Sequence, residues 1–121
     1  MDVMHPVCCG IDVHQKSIVC CILDGPLTSN EPKKYQTTFG TTTKELNAAL
    51  NWLLEHQVTH VFFESTGQYW IPLFNIFSDS DLELILANPQ HIKNVPGRKT
   101  DVKDAEWIAQ LGRCGLINQS Y

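Results

Sequence analysis

The stretch VCCGIDV-HQK-SIVCCIL, residues 7–23, consists of two apolar runs separated by three polar residues. Short runs rich in Val and Ile and bounded by polar residues are typical of β-strands, and the brief connection predicts an antiparallel hairpin. Asp12 lies inside the first run, where an acid is costly to bury unless it is paired, protonated or bound to a metal. The hairpin therefore begins the fold and carries a candidate functional acid.

The rest of the chain alternates between strand and helix patterns. We expect a third strand at 33–39, a helix capped at 41–43 and running to about 57, a strand at 60–63, a helix opened by 65–67 and running to 77, a strand at 82–87, and a helix from 100 to about 112. Three strands with short connections form an antiparallel meander, and two strands joined by helical crossovers add in parallel. The predicted fold class is therefore α/β, a mixed five-stranded sheet flanked by helices, as in the ribonuclease H-like fold.

Composition limits the class of protein. The chain has 121 residues, 43% of them hydrophobic, which suits one globular domain with its own core. No apolar run is long enough to span a bilayer, and residues 1–6 lack the pattern of a signal peptide. We therefore expect a cytoplasmic protein without a membrane partner.

The charge is unevenly distributed, although the net charge is −4. Residues 1–90 contain four Lys and ten acids, whereas residues 91–121 contain five Lys or Arg and three acids. A positive rim beside an acidic pocket suits a polyanionic substrate, and an ordinary solvated face of mixed charge is the alternative. The basic residues of this last segment are Lys93, Arg98, Lys99, Lys103 and Arg113.

The five cysteines do not form a recognisable motif. They are Cys8, Cys9, Cys20, Cys21 and Cys114, and no C-x-x-C spacing occurs among them. We expect free, buried thiols in a reducing compartment. A metal site formed by His5, Cys8 and Cys9 is the alternative.

Four acids stand where rigid elements can hold them: Asp12, Glu64, Asp101 and Asp104. Asp12 and Glu64 belong to strands that lie side by side in the expected sheet, and the last helix crosses the same edge. Asp101 and Asp104 are three residues apart, so a helix presents both on one face. Carboxylate oxygens are ligands that Mg²⁺ or Mn²⁺ prefers, and a pair of such ions can cleave a phosphodiester. The alternatives are a satisfied buried acid, a turn acid and two acids favoured by a helix dipole.

Other candidates have competing structural roles. His14 and Gln15 either contact a phosphate or are exposed turn residues, whereas Ser65 and Thr66 suit helix caps better than ligands or nucleophiles. Three aromatic residues are expected in the core or at a partner contact rather than beneath a nucleic-acid base: Tyr69, Trp70 and Trp107. The sequence has no P-loop, dinucleotide fingerprint or hydrolase elbow.

Three segments carry a family resemblance: GIDVHQKSI (10–18), FESTGQYW (63–70) and NPQHIKNVPGRKTDVKDAEWIAQL (88–111). Together they closely resemble the N-terminal DEDD domain of the insertion-sequence-110 family of transposases, which includes the Piv-type DNA invertases. The resemblance extends over residues 7–117 and implies a domain at 1–117, followed at 118–121 by the start of a linker to a second domain. The family's D, E, D and D fall on Asp12, Glu64, Asp101 and Asp104.

The resemblance also implies an activity and partners. Family members resemble Holliday-junction resolvases in this domain and use Mg²⁺ to cut and rejoin DNA, with a guide RNA and a serine nucleophile on the second domain. We therefore expect a bacterial, chromosome-associated DNA transposase, a homo-oligomer when full length, that is inactive without its second domain. Lys93, Arg98, Lys99 and Lys103 are expected to contact nucleic acid. The alternatives are a stand-alone resolvase-like nuclease and a non-catalytic nucleic-acid-binding remnant.

Overall fold

The structure, a computed structural model, describes residues 7–25, 32–65, 67–88, 90, 92, 104–115 and 117. The elements within these residues are β1 (Val7–Val13), β2 (Ser17–Asp24), β3 (Lys33–Gly40), α1 (Thr43–Glu55), β4 (His60–Ser65), α2 (Trp70–Phe77), β5 (Glu83–Leu86) and α3 (Asp104–Arg113). No helix among them is long and apolar enough to cross a membrane.

The five strands form one sheet in the order β3-β2-β1-β4-β5. β1 pairs with β2, and β2 with β3, in antiparallel orientation. β4 pairs with β1, and β5 with β4, in parallel orientation. The predicted mixed sheet of three antiparallel and then two parallel strands is confirmed. β1 lies at its centre, paired with β2 along one edge and with β4 along the other.

The alternation of side chains along β1 separates two layers of core. Cys9 and Ile11 face the larger core, which packs against α1 and α2. Cys8 and Gly10 face α3 on the other side of the sheet, where the Cys8 thiol donates to the Ala109 carbonyl at 3.5 Å. Because successive residues of a strand point to opposite faces, Asp12 shares the α3 face with Gly10. The fold therefore places an acid of the central strand beside the last helix.

Helix α1 begins as its sequence predicts. The Thr42 side chain caps it by accepting a hydrogen bond from the Glu45 backbone amide at 3.2 Å, and the Glu45 carboxylate accepts from the Gly40 amide at 3.0 Å. Both bonds satisfy backbone donors where the chain leaves β3. The helix ends at Glu55, two residues before the expected end, and Gln57 adopts a φ of 60°.

The start of α2 differs from the sequence prediction. Ser65 is still part of β4, and the helix begins at Trp70 with Tyr69 as its N-cap and without a side-chain cap bond. Gly67 has a φ of +63°, a left-handed conformation that glycine adopts without steric cost, and turns the chain before the helix. The expectation that the helix opens at 65–67 was therefore wrong, because Ser65 belongs to β4 and the helix begins three residues after Gly67, while Thr66 lies outside the described residues. Pro72 lies near the start of α2, where its missing N–H is tolerated.

Candidate active site

Asp12 and Glu64 occupy paired positions on adjacent parallel strands. In the register of β1 with β4, Asp12 stands opposite Glu64, just as Gly10 stands opposite Phe62. Gly10 and Phe62 both lie against α3, so the alternation along each strand directs Asp12 and Glu64 to that same face. The Asp12 side chain is 16% exposed, and Glu64 is half-buried. Two carboxylates therefore meet at the carboxyl ends of two neighbouring strands.

Two glycines allow α3 to approach the sheet closely. A Cβ on Gly10 would overlap the backbone of Ala105 and Ala109, and a Cβ on Gly112 would overlap the ring of Phe62. The helix therefore rests on β1 and β4 without intervening side chains at these two points. Its first turn contains Asp104, one residue before Ala105, and this turn lies near Asp12.

An ion pair between β3 and α3 also holds the first turn of α3 in place. Lys34 Nζ on β3 lies 3.0 Å from Glu106 Oε1, and Gln110 donates to the other Glu106 oxygen at 3.2 Å. Glu106 is only 17% exposed on its side chain, so it is held inside the interface between α3 and the sheet. This interface therefore orients the turn that carries Asp104.

The electrostatic environment of Asp12 reflects its neighbours. Burial raises the pKa of Asp12, the nearby His14 ring opposes this shift, and repulsion from Asp104 adds to it. Since Asp104 acts on Asp12 through its charge, the two carboxylates lie close enough to interact. Asp12 and Glu64 thus stand opposite each other on neighbouring strands, Asp104 interacts electrostatically with Asp12, and Asp101 lies outside the described residues.

His14 is the neighbour whose role sequence reasoning missed. Its Nε2 lies 3.0 Å from Asp12 Oδ2, and its side chain is 53% exposed. The sequence analysis placed it in a turn, as a phosphate contact or an exposed residue. The signal was available in the spacing: residues two apart at a strand end share a face, and Asp12 and His14 are two apart.

The basic residues of the sequence analysis divide into two groups. Lys93, Arg98, Lys99 and Lys103 lie outside the described residues, so their role remains a prediction. Arg113 is described and is 4% exposed at the far end of α3, beside Gly25 and Pro32. It therefore belongs to the packing of α3 rather than to a charged rim around the acids.

The cysteines do not provide a metal site within the described part of the chain. Cys8 and Cys9 face opposite sides of β1, so one ion cannot reach both, and His5 lies outside the described residues. Burial raises the pKa of the Cys8 and Cys21 thiols to about 12 and raises that of Cys9 as well. Protonated thiols are poor metal ligands. All five cysteines are free, and four of them are buried as expected, whereas Cys114 is half-buried.

The acids fit a divalent cation by the chemistry of their donors. Asp12, Glu64 and Asp104 offer hard oxygen ligands, and the repulsion between Asp12 and Asp104 is of the kind that a bound cation relieves. Across the residues that the structure describes, no three His, Cys, Asp or Glu side chains lie close enough together to hold an ion. Asp101, the fourth acid, is not among those residues.

The aromatic candidates have distinct environments. Trp107 is 3% exposed, and its indole N–H donates to the Ile92 carbonyl at 3.1 Å. Trp70 is half-buried and packs on Phe63 and Phe74, whereas Tyr69 is 44% exposed. Trp107 therefore belongs to the core, in agreement with the structural alternative given for it.

The order and orientation of the five strands define a class of protein by its fold, the ribonuclease H-like α/β proteins. Thermus thermophilus RuvC is similar with a TM-score of 0.64 and 13% identity, covering 93% of this chain and 99% of that one. RuvC of the same organism in complex with Holliday junction substrate is similar with a TM-score of 0.62 and 14% identity, covering 95% of this chain and 99% of that one. A fowlpox virus resolvase in complex with Holliday junction DNA is similar with a TM-score of 0.53 and 18% identity, covering 77% of this chain and 67% of that one. At these identities the similarity establishes the fold.

Sequence comparison then identifies the family. A model of the insertion-sequence-110 type of DEDD proteins, described as a transposase, matches residues 9–120. The chain therefore belongs to this transposase family, as its three motifs predicted. No curated protein has a sequence that matches it.

Proposed function

We propose that this chain is the acid-bearing domain of a metal-dependent DNA transposase that cleaves and rejoins DNA strands. The observation that carries the proposal is the register of β1 with β4, in which Asp12 and Glu64 are paired beside Asp104 in the first turn of α3. Membership of a transposase family supports DNA as the substrate.

Each acid has a distinct part in this proposal. Asp12 and Glu64 hold a divalent cation from two neighbouring strands, and Asp101 and Asp104, the latter in the first turn of α3, complete the ligand set. When bound, Mg²⁺ or Mn²⁺ ions activate the attacking oxygen and stabilise the leaving oxygen at a phosphodiester. The close packing of α3 on Gly10 keeps Asp104 at a fixed separation from Asp12. Because two paired strands and a packed helix carry Asp12, Glu64 and Asp104, the fold sets the backbone positions of these three acids before substrate arrives.

The partners follow from the same reasoning. Two of the similar resolvases were solved on Holliday junction DNA, which supports a branched DNA as substrate here. We propose that Lys93, Arg98, Lys99 and Lys103 contact its phosphates, and that an element-encoded RNA guides target choice. The proposed site of action is the bacterial chromosome in the cytoplasm, with the full-length protein acting as a homo-oligomer.

The second candidate function is that of a resolvase-like nuclease that acts by itself. The observation in its favour is that this chain covers 99% of Thermus thermophilus RuvC, so one chain of this size holds a whole domain of that fold. The two candidates differ in the attacking group. A resolvase-like nuclease needs only the acids, their metal ions and water, whereas the transposase proposal assigns the nucleophile to a serine on a separate domain.

The deciding experiment incubates the purified chain with a four-way DNA junction and Mn²⁺, alone and with the serine-bearing domain of a family member. The proposal expects a covalent protein–DNA product only when both domains are present, and its loss in Asp12→Asn. The matched control is Asp79→Asn, an exposed acid after α2. Metal-dependent nicking by the chain alone would favour the nuclease. Product formation that is undiminished in Asp12→Asn would refute the role of the acids.

A further inference from the structure

His14 stands at the side of the acids that faces solvent. Its backbone amide donates to the Ser17 carbonyl at 2.9 Å, which closes the β1–β2 hairpin and fixes where the side chain begins. The ring nitrogen Nε2 lies 3.0 Å from Asp12 Oδ2. The hairpin therefore fixes the backbone of His14, and the contact with Asp12 orients its ring.

The 3.0 Å separation between Nε2 and Oδ2 fits a hydrogen bond, and it fits two ligands of one ion equally well. Neighbouring ligands of an octahedral ion subtend a right angle, so bonds of about 2.1 Å place the two donor atoms about 3.0 Å apart. A cation can therefore replace the shared proton while the two donor atoms keep their separation, provided that the ring and the carboxylate turn towards the ion.

The surroundings of the pair suit such a replacement. The Asp12 side chain is 16% exposed and the His14 side chain 53% exposed, so one donor is sheltered and the other is open to an ion from solvent. The charge of Asp104 acts on Asp12, whereas His14 counteracts it. His14 therefore lies beside the acids, where their negative charge favours a cation.

We propose that His14 is a nitrogen ligand of the divalent ion that Asp12 binds, which makes this site selective for Mn²⁺ over Mg²⁺. This inference rests on the proposed metal-dependent function. Imidazole nitrogen suits transition metals, whereas Mg²⁺ favours oxygen ligands and retains its water. An oxygen-only set of acids has no such preference, so the nitrogen is what distinguishes this site.

The test is pulsed electron paramagnetic resonance of Mn²⁺ bound to the full chain, prepared with natural histidine and with ¹⁵N-labelled histidine. A directly bound imidazole gives a nitrogen modulation of the Mn²⁺ echo that changes with the label. We expect this modulation in the wild type and its absence in His14→Gln. The matched control is His60→Gln, at the opposite end of β4 from Glu64, which should retain the modulation.

Affinity provides an independent readout. His14→Gln should weaken Mn²⁺ binding about tenfold, which is the lower end of the loss seen when a residue that supports a metal ligand is removed. It should weaken Mg²⁺ binding much less. His14→Asp, which supplies an oxygen donor, should lose the modulation and lower the ratio of Mn²⁺ to Mg²⁺ affinity.

Two outcomes overturn the inference and separate it from the proposed function. Mn²⁺ binding to the wild type without nitrogen modulation would leave the acidic site intact and exclude His14 as a ligand. Failure of the wild type to bind Mn²⁺ at all would remove the metal site itself, and the role of His14 with it. Modulation that persists in His14→Gln would assign the nitrogen to another residue.

Discussion

Gly10 lies against the backbone of Ala109, closer than any residue with a side chain could lie. The two residues are far apart in sequence, and their contact sets how deeply α3 sits on the central strand. Asp12 is two residues after Gly10 on the same face, and Asp104 lies in the first turn of the same helix. The glycine contact therefore controls the separation between two acids of the candidate site.

Gly10→Ala should destabilise the protein and weaken the site at once. The added methyl group must displace helix backbone, and overpacking of this kind typically costs about 1 to 3 kcal/mol. We expect a loss near 3 kcal/mol in the free energy of unfolding, measured with urea, and a smaller stabilisation by Mn²⁺. The control is Gly67→Ala, where the added Cβ meets nothing within 4 Å and the cost is the φ of +63°, roughly 1 to 2 kcal/mol. Equal losses in both variants would mean that α3 yields easily at Gly10.

Divalent metal should stabilise the folded chain through the acids. Since an ion that binds only the folded state adds about 2.7 kcal/mol at a concentration of 100 Kd, Mn²⁺ should raise the melting temperature measurably. Asp12→Asn and Asp104→Asn should each reduce that gain, because each removes a charged ligand. Asp81→Asn, on an exposed turn before β5, serves as the control and should keep it. The same metal-induced shift in all four proteins would place the ion elsewhere.

Without metal, the charge on Asp12 should be a cost to stability. Burial raises the pKa of Asp12 above its ordinary 3.8, His14 opposes the shift, and Asp104 adds to it. The folded state therefore holds this proton to a higher pH than the unfolded state does. The contribution of Asp12 to stability is fully present below pH 3.8 and is lost as pH rises through the raised pKa.

Asp12→Asn should accordingly be at least as stable as the wild type at pH 7 in a chelator, while it loses the stabilisation by metal. The difference between the two proteins should shrink as the pH falls toward 3.8. Urea unfolding across this range measures it. A variant that is less stable than the wild type at pH 7 would show that the contact with His14 outweighs the cost of the buried charge.

The buried thiols should resist alkylation until the protein unfolds. Because the pKa values of Cys8 and Cys21 are raised to about 12, these thiols remain protonated and unreactive at pH 8. Iodoacetamide should modify the half-buried Cys114 first and reach all five cysteines only in urea, as counted by mass spectrometry. The pKa of the Cys8 and Cys21 thiols is raised from 9.0 to about 12 in the folded state, so stability should fall as pH rises above 9.0. Native modification of Cys8 as fast as Cys114 would contradict this.

Much of the sheet could be predicted because its determinants are local. The hairpin at 7–23 follows from two apolar runs with a short connection, and the parallel addition of β4 and β5 follows from helical crossovers. The adjacency of Asp12 and Glu64 follows from the same topology, in which the centre of the first strand lies beside the end of the fourth.

What the sequence did not reveal depends on tertiary geometry. The contact of His14 with Asp12 depends on side-chain conformations, although the spacing of two allows it. The sequence placed the start of α2 too early because serine is a common N-cap residue. In the structure the positive φ of Gly67 turns the chain first, and the helix begins at Trp70. The packing of Gly10 on Ala109 joins residues from distant parts of the chain, and no local pattern encodes it.

Nucleic-acid binding should depend on the charge of the basic residues that precede Asp101 in the sequence. Arg98 and Lys99 are expected to contact phosphates, and each phosphate contact that is lost reduces the slope of log affinity against log salt by about 0.9 on duplex DNA. Arg98→Gln combined with Lys99→Gln should therefore flatten the slope for a four-way junction by up to about 1.8, measured by fluorescence anisotropy at several salt concentrations. Lys33→Gln combined with Lys44→Gln removes the same charge from exposed positions on β3 and α1 and should leave the slope unchanged. If the two double variants behave alike, net charge rather than a phosphate contact governs binding, and the proposed interface is wrong.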